Sequence, residues 1–204
     1  MINKVGRDIP DELLTGGREV YQGKNYKDGK YMQKAAPCTR RYEKPQESKI
    51  LGSIAEALKA CGAKSGMTFS FHHHLRDGDY VVNMVMEAAI EELGLDELTI
   101  AATSLGTAHD PIADYIEEGK VVGIQTSGIR GRMGEVVSAG KLRTPAIIRS
   151  HGGRPRAIES GEVHIDIAFI AAPTSDCVGN CRGIGGKSNC GAMGYAMTAF
   201  LKFI

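Results

Sequence analysis

After residue 47, short apolar runs alternate with segments in which apolar residues recur at helical spacing. The runs predict five strands, at residues 67–71, 98–102, 121–126, 146–149 and 164–171. The last run is nearly continuous, which is typical of a central strand that is covered on both faces. Strands that alternate with helices favour βαβ units, so we expect an α/β fold with an open, mostly parallel sheet flanked by helices.

The segments with helical spacing predict four helices, one before the first strand and three between strands. They cover residues 47–61, 79–93, 109–118 and 155–160. Ser48 and Asp79 are the expected N-caps of the first two, and Gly62 and Gly94 are their expected C-terminal ends. Residues 127–132, which are rich in glycine and arginine, are predicted to form a turn.

The first 47 residues differ from the rest of the chain. They are polar, with many lysines and a Gly16-Gly17 pair, and they show no helical or strand period. We interpret them as an irregular N-terminal arm that lies on the domain or on a partner, followed by a domain at residues 48–204. The alternative is simple disorder, because a polar composition of this kind often cannot offset the entropy of ordering.

Composition narrows the class of protein. The chain has 204 residues and a formal charge of +1, which gives no electrostatic reason to expect nucleic acid as a partner. No apolar run approaches the ~18 residues that a membrane span needs, and no secretory signal is visible. Five cysteines without framework spacing fit reduced thiols. We therefore expect a cytoplasmic α/β domain that binds neither nucleic acid nor a membrane.

Three predicted strands end in loops rich in glycine, arginine and histidine. Parallel strands gather such loops at one edge of the sheet, where ligands of open α/β folds bind. Arginine binds carboxylates and phosphates and stays charged, and glycine lets backbone N–H groups approach a ligand. The binding candidates in these loops are His72, His73, His74, Arg76, Gly128, Arg130, Gly152, Gly153 and Arg154.

The three consecutive histidines allow several interpretations. His72 and His74 share a face of an extended chain, and Asp77 or Asp79 would complete a metal site. The same side chains would also donate hydrogen bonds to an anionic ligand near pH 7, or serve the fold alone. The sequence leaves these alternatives open, although no HExxH helix and no distal set of ligands supports the metal.

The segment from residue 174 to 194 has the highest density of glycine. Gly185 and Gly186 are candidates to offer backbone N–H groups to a ligand. Lys187 and Ser188 follow as in a phosphate-binding loop, but Cys181 stands where that motif needs glycine. The three cysteines of this region allow free thiols, a metal site without a fourth ligand, or a nucleophile, and free thiols are the simplest interpretation.

Long motifs identify a family. MTFSFHHHLRDGDYVVNMVM, LTIAATSLGTAHDPIADYIEEG, VVGIQTSGIRGRMGEVVSAGKL, IIRSHGGRPRAIESGEVHIDIAFIAAPTSD and GNCRGIGGKSNCGAMGYAM together resemble the alpha chain of citrate lyase. The N-terminal arm resembles it too, in GRDIPDELLTGGREVYQG. Members of that family are roughly twice as long, so the chain resembles their N-terminal half.

The resemblance implies a fold and a reaction. The fold is CoA-transferase-like, with an open α/β sheet in each of two similar halves. In the reaction, citrate displaces acetate from the acetyl thioester of the gamma (acyl-carrier) chain, and the beta chain cleaves the resulting citryl thioester. An oligomeric complex with these chains is therefore expected.

The resemblance implies no tightly bound cofactor. Acetyl-CoA, or the phosphoribosyl-dephospho-CoA prosthetic group of the carrier, is a substrate instead, and the catalytic residue stays unknown. Two other functions remain open: a non-catalytic assembly module of the same complex, and an unrelated metal-dependent hydrolase that uses the histidines at residues 72–74.

Overall fold

The structure is a computed structural model, and it describes residues 1–3, 6–20, 48–72, 79–191, 193 and 196. The chain divides into two units, residues 1–38 and 39–204. In the first unit, Ile2 forms an antiparallel bridge with Asp8, and a short 3-10 helix follows at Asp11–Leu13. The predicted end of the arm at residue 47 lies outside the described residues and stays a prediction.

Five strands build the main sheet of the second unit. They are β1 (Thr68–His72), β2 (Leu98–Ala102), β3 (Val121–Thr126), β4 (Ile147–Ile148) and β5 (Ile167–Ile170). All neighbours are parallel, and the strand order is β4-β3-β2-β1-β5. A short antiparallel hairpin follows, formed by β6 (Thr174–Ser175) and β7 (Cys181–Arg182). The predicted α/β class and parallel sheet are confirmed.

Five α-helices lie in the described part of this unit, one before β1 and four between successive strands of the main sheet. They are α1 (Ile54–Ala60), α2 (Val81–Glu87), α3 (Ile112–Glu117), α4 (Gly131–Ser138) and α5 (Gly153–Ser160). A π-helical turn at Ala88–Glu92 extends α2, and the chain leaves it at Gly94 with φ +65°, as predicted. The N-cap of α2 is Tyr80 and not the predicted Asp79, although Asp79 Oδ1 still accepts from the N–H of Val81 at 3.0 Å. No helix among the described residues is long and apolar enough to cross a membrane.

Helices cover both faces of the sheet. Ile100 and Ala102 of β2 belong to the larger apolar cluster, which also contains residues of α2, α3 and α4. Ala101 points to the opposite face and packs with Ala157 and Ile158 of α5. The second layer of helix therefore lies on the face of the sheet that carries Ala101.

The first helix begins later than predicted. Ser53, not Ser48, is its N-cap, with Oγ accepting from the N–H of Glu56 at 3.1 Å. Ile50 precedes the helix and is 72% exposed. The reason is local: Ser53 stands three residues before Glu56, which is the spacing of a capping box, and Ser48 has no such partner.

The prediction of a central strand at residues 164–171 was wrong. Strand β5 lies at an edge of the sheet of described residues, and three of its four residues are only partly buried. Val163 and Ile165, which come before the strand, pack with the apolar residues of α5 instead. The apolar run therefore serves two different contacts, which one-dimensional periodicity cannot separate.

Candidate functional site

A row of polar residues crosses the carboxyl ends of three neighbouring strands. His72 ends β1, Thr103 follows β2, and Ser127 follows β3. Phe71 pairs with Ala102, so His72 and Thr103 are level, and the Ser127 N–H donates to the Thr103 carbonyl at 3.1 Å. His72 Nδ1 lies 3.3 Å from Thr103 Oγ1, and the two residues are only 5% and 8% exposed. We call His72, Thr103 and Ser127 the polar row.

Backbone hydrogen bonds join the loops that follow β2 and β3. The Leu105 N–H donates to the Gly128 carbonyl at 2.9 Å, and the Arg130 N–H donates to the Leu105 carbonyl at 3.0 Å. Thr126 fixes the turn from below, since its hydroxyl donates to the Gly128 carbonyl at 2.9 Å. The structure therefore places Gly128 and Arg130, both predicted site residues, at the expected edge, with Arg130 exposed.

The turn predicted at residues 127–132 leads directly into α4, a helix that sequence patterns did not indicate. Gly131 begins α4 with φ +66°, and a Cβ there would collide with the Asp110 carboxylate. Asp110 Oδ1 lies 3.4 Å from the Met133 N–H. The amino end of α4 is therefore occupied by a carboxylate of the protein itself.

The loop after β4 contains Gly152 and Gly153. Gly152 is exposed, and the Gly153 N–H donates to Ser150 Oγ at 3.1 Å as α5 begins. Arg154, which follows, is 3% exposed. The two glycines thus lie at the start of α5, as predicted, while the arginine beside them points into the protein.

Arg154 lies between α5 and the sheet. Its Nη2 donates to Ser70 Oγ at 2.9 Å and to the Ala101 carbonyl at 2.7 Å. Close by in the sheet, Arg149 Nη1 donates to Gln125 Oε1 at 2.8 Å. Residues 70, 101 and 125 are level in the sheet and precede the polar row by two residues. Their side chains therefore lie on the same face of the sheet as the polar row. Two guanidinium groups therefore bind to residues that stand two positions before the polar row along the strands.

Gly185 and Gly186 lie beyond the β6–β7 hairpin. The Gly185 N–H donates to Asn189 Oδ1 at 2.9 Å, and a Cβ on Gly186 would collide with the Pro173 carbonyl. The hairpin forms a cleft of ≈ 380 Å³. Its lining residues are Thr174, Ser175, Asp176, Asn180, Arg182, Ile184 and Gly185. Gly186 therefore serves close packing, and Gly185 lines a cleft.

Asp176 holds the turn of this hairpin. Its Oδ2 accepts from Asn180 Nδ2 at 2.7 Å, and its Oδ1 accepts from the backbone N–H groups of Asn180 and Val178. These hydrogen bonds, above all the one from the Asn180 side chain, lower the pKa of Asp176 below its usual range. The carboxylate thus accepts hydrogen bonds at both oxygens within the turn.

Three predicted site residues, His73, His74 and Arg76, lie outside the described residues. Within the described part of the chain, no group of three or more His, Cys, Asp or Glu side chains is placed to hold a metal ion. Cys61, Cys177, Cys181 and Cys190 are free thiols. The binding roles proposed for all these loops stay predictions.

Sequence patterns missed two members of the polar row, Thr103 and Ser127. Both stand in quoted motifs, but neither is charged or aromatic, and their alignment depends on the register between strands. The usable signal was positional: each is the first polar residue after the end of a predicted strand.

Comparison with known proteins gives one consistent answer. A sequence model of the citrate lyase alpha subunit family matches residues 47–200. The citrate lyase alpha chain of Haemophilus influenzae is 48% identical over 151 residues, which are 74% of this chain and 30% of the relative. The alpha chain of Klebsiella pneumoniae is 45% identical over 161 residues, 79% of this chain and 32% of the relative.

A solved structure agrees. The alpha subunit of citrate lyase from Streptococcus mutans, in complex with citrate, superposes with a TM-score of 0.73 and 43% sequence identity. The match covers 96% of this chain and 38% of that one. The chain thus spans about a third of the length of the relatives it matches, where the resemblance implied about half.

Proposed function

Because the chain belongs to the citrate lyase alpha subunit family, we propose that it is the citrate-binding N-terminal part of an acyl-transferase subunit. The subunit exchanges the acetyl group of a carrier thioester for citrate and releases acetate. The beta and gamma chains of citrate lyase are the proposed partners. The prosthetic group of the gamma chain, or acetyl-CoA, is the proposed thioester substrate.

One observation carries this proposal: the carboxyl ends of β1, β2 and β3 bring a polar row and an exposed arginine to one edge of a parallel sheet. His72 and Thr103 contribute buried polar groups there, and Arg130 contributes an exposed cation. Ligands of open α/β sheets bind at this edge. Citrate carries three carboxylates, so hydrogen-bond donors and a guanidinium group are the side chains that suit it.

The exchange needs no nucleophile from the protein, since a citrate carboxylate attacks the acetyl thioester itself. The attack gives a tetrahedral oxyanion, which collapses to a mixed anhydride and releases the carrier thiolate. The thiolate then attacks the citryl carbonyl, and acetate leaves. The protein has to hold the carboxylate against the carbonyl and to stabilise the oxyanion with donors already in place.

Calorimetric titration of the 204-residue chain with citrate tests the proposal. We expect heat of binding for the wild type and an affinity about 10- to 100-fold lower for Arg130→Ala, because one charge-assisted contact is lost. Arg143→Ala is the matched control. Arg143 is also exposed, but it pairs with Glu97 just before β2, at the opposite edge of the sheet.

Equal losses of citrate affinity in the two variants would show that the citrate site is not at the carboxyl edge. If the wild type itself gives no heat with citrate, the chain is not a citrate-binding unit. Capture of the beta and gamma chains without any citrate binding would then favour the assembly module.

A further inference from the structure

Ser127 has a buried hydroxyl that the fold does not use. Its Oγ is inaccessible to solvent and has no hydrogen-bond partner among the described residues. Buried side-chain hydroxyls in native proteins are nearly always paired, because an unpaired one loses its hydrogen bonds to water without replacement. The exception at Ser127 points to a partner outside the described residues.

The backbone around Ser127 is held firmly on both sides. Its own N–H donates to the Thr103 carbonyl. The Thr126 hydroxyl donates to the Gly128 carbonyl and accepts from the Gly128 N–H at 3.3 Å. The Gly128 carbonyl accepts a second hydrogen bond, from Leu105. Ser127 therefore presents its hydroxyl from a fixed turn, which is how a pre-organised binding group is built.

The surroundings of Ser127 select an anion. It shares its sheet face with His72 and Thr103. Two residues earlier along the same strands, Gln125 binds the guanidinium group of Arg149, and Ser70 binds that of Arg154. Two positive charges on the same face of the sheet, one of them on a buried side chain, favour a negatively charged ligand. A hydroxyl next to an anion acts as a hydrogen-bond donor.

We propose that Ser127 is a substrate-binding residue whose hydroxyl donates a hydrogen bond to a carboxylate oxygen of the bound tricarboxylate. The assignment rests on the proposed function, that the chain binds citrate. It adds one specific contact, at the carboxyl end of β3, between the polar row and one arm of the ligand.

Ser127→Ala and Ser138→Ala form a matched pair, since Ser138 is an exposed serine at the far end of α4. Citrate is titrated into each variant, and melting temperatures are recorded with and without citrate. We expect Ser127→Ala to bind citrate about 10- to 100-fold more weakly, and Ser138→Ala to bind like the wild type. Without citrate, Ser127→Ala should melt no lower than the wild type, because no hydrogen bond within the described chain is lost.

A second ligand separates the two kinds of contact that citrate offers. Tricarballylate has the three carboxylates of citrate and lacks its hydroxyl. If Ser127 contacts a carboxylate, Ser127→Ala should lose affinity for both ligands by the same factor. A loss confined to citrate would place the contact on the citrate hydroxyl and overturn the proposal.

The outcomes also separate this inference from the function on which it rests. Citrate binding by Ser127→Ala with wild-type affinity overturns the inference and leaves citrate binding by the chain intact. Absence of citrate binding in the wild type overturns both. If Ser127→Ala does not fold, Ser127→Cys keeps the size and replaces the hydroxyl with a weak donor. It should show a similar loss of citrate affinity, and full affinity in that variant overturns the inference.

Discussion

Two loops of this molecule carry the same sequence signature and use it in opposite ways. The loop after β3 contains Gly128 and Arg130, and the segment after β4 contains Gly153 and Arg154, the first two residues of α5. Both arginines follow a strand and stand at the start of a helix. Arg130 is exposed at the carboxyl edge, whereas Arg154 is 3% exposed and donates into the sheet.

The position of each arginine relative to the first helical residue explains the difference. Arg130 is the N-cap residue of α4 and has extended backbone angles, φ −143° and ψ 174°, so it stands outside the helix. Arg154 lies in the first turn of α5. It shares one helix face with Ala157 and Ile158, which are three and four residues further on and pack on the sheet.

A difference of two residues in position relative to the helix start thus separates an exposed arginine, the proposed ligand contact, from one that is buried against the sheet. Arg154 still affects the proposed site, because its charge is bound at Ser70, two residues before the polar row. We expect its contribution to citrate binding to be indirect, through the charge and rigidity of the sheet face, and that of Arg130 to be direct.

The largest expected effect comes from Arg154→Ala. The change removes the donor for Ser70 and the Ala101 carbonyl and leaves a cavity under α5, so we expect a loss of about 3–5 kcal/mol in the free energy of unfolding. Urea denaturation of the 204-residue chain, followed by circular dichroism, measures it.

Arg156→Ala is the control within the same helix. Arg156 is exposed and pairs with Glu162, so its removal should change the unfolding free energy far less than that of Arg154. Equal losses in the two variants would mean that Arg154 is not the anchor of α5, and the contrast with Arg130 would fail.

The sequence predicted the parallel sheet because its strands are short apolar runs with polar ends. Such runs can be recognised from neighbouring residues alone. It did not predict α4, because two of the first four residues of that helix are glycines and its amino end is stabilised by Asp110, about twenty residues earlier. It also placed β5 in the centre, because an apolar run does not tell which of its residues face a helix. The polar row escaped for a similar reason: side chains from three strands meet only once the register is known.

The second prediction tests the left-handed turn at Gly131, through which the loop after β3 enters α4. Gly131→Ala places a Cβ at a residue with φ +66° and against the Asp110 carboxylate, so we expect a loss of about 1–3 kcal/mol in the free energy of unfolding. Thermal denaturation of the variant and the wild type measures the loss. The exposed position of Arg130 depends on this turn, so citrate affinity should fall as well.

Gly134→Ala is the matched control in the same helix. The added Cβ would meet only the Ile129 carbonyl, at an ordinary contact distance of 3.6 Å. Alanine is the better helix former, so the variant should be as stable as the wild type or up to about 1 kcal/mol more stable. A tolerated Gly131→Ala would show that Arg130 does not owe its exposure to the left-handed turn.

The smallest effect expected is a pH dependence that separates Arg156 from Arg154 within α5. The hydrogen bond and charge of Arg156 hold the pKa of Glu162 below its usual range. A carboxylate with a lowered folded-state pKa contributes stability above its unfolded pKa, roughly 4.3, and loses it as the pH falls through the folded value.

The small difference in stability between the wild type and Arg156→Ala should therefore be present at pH 7 and vanish in acid, once Glu162 is protonated. Urea denaturation at both pH values, for Arg154→Ala as well, measures it. The part of the Arg154 deficit that comes from Ser70 and Ala101 should persist, because neither a hydroxyl nor a backbone carbonyl titrates there. A difference for Arg156→Ala that survives in acid would mean that Arg156 stabilises α5 through packing, as Arg154 does, and the two arginines would then differ in degree only.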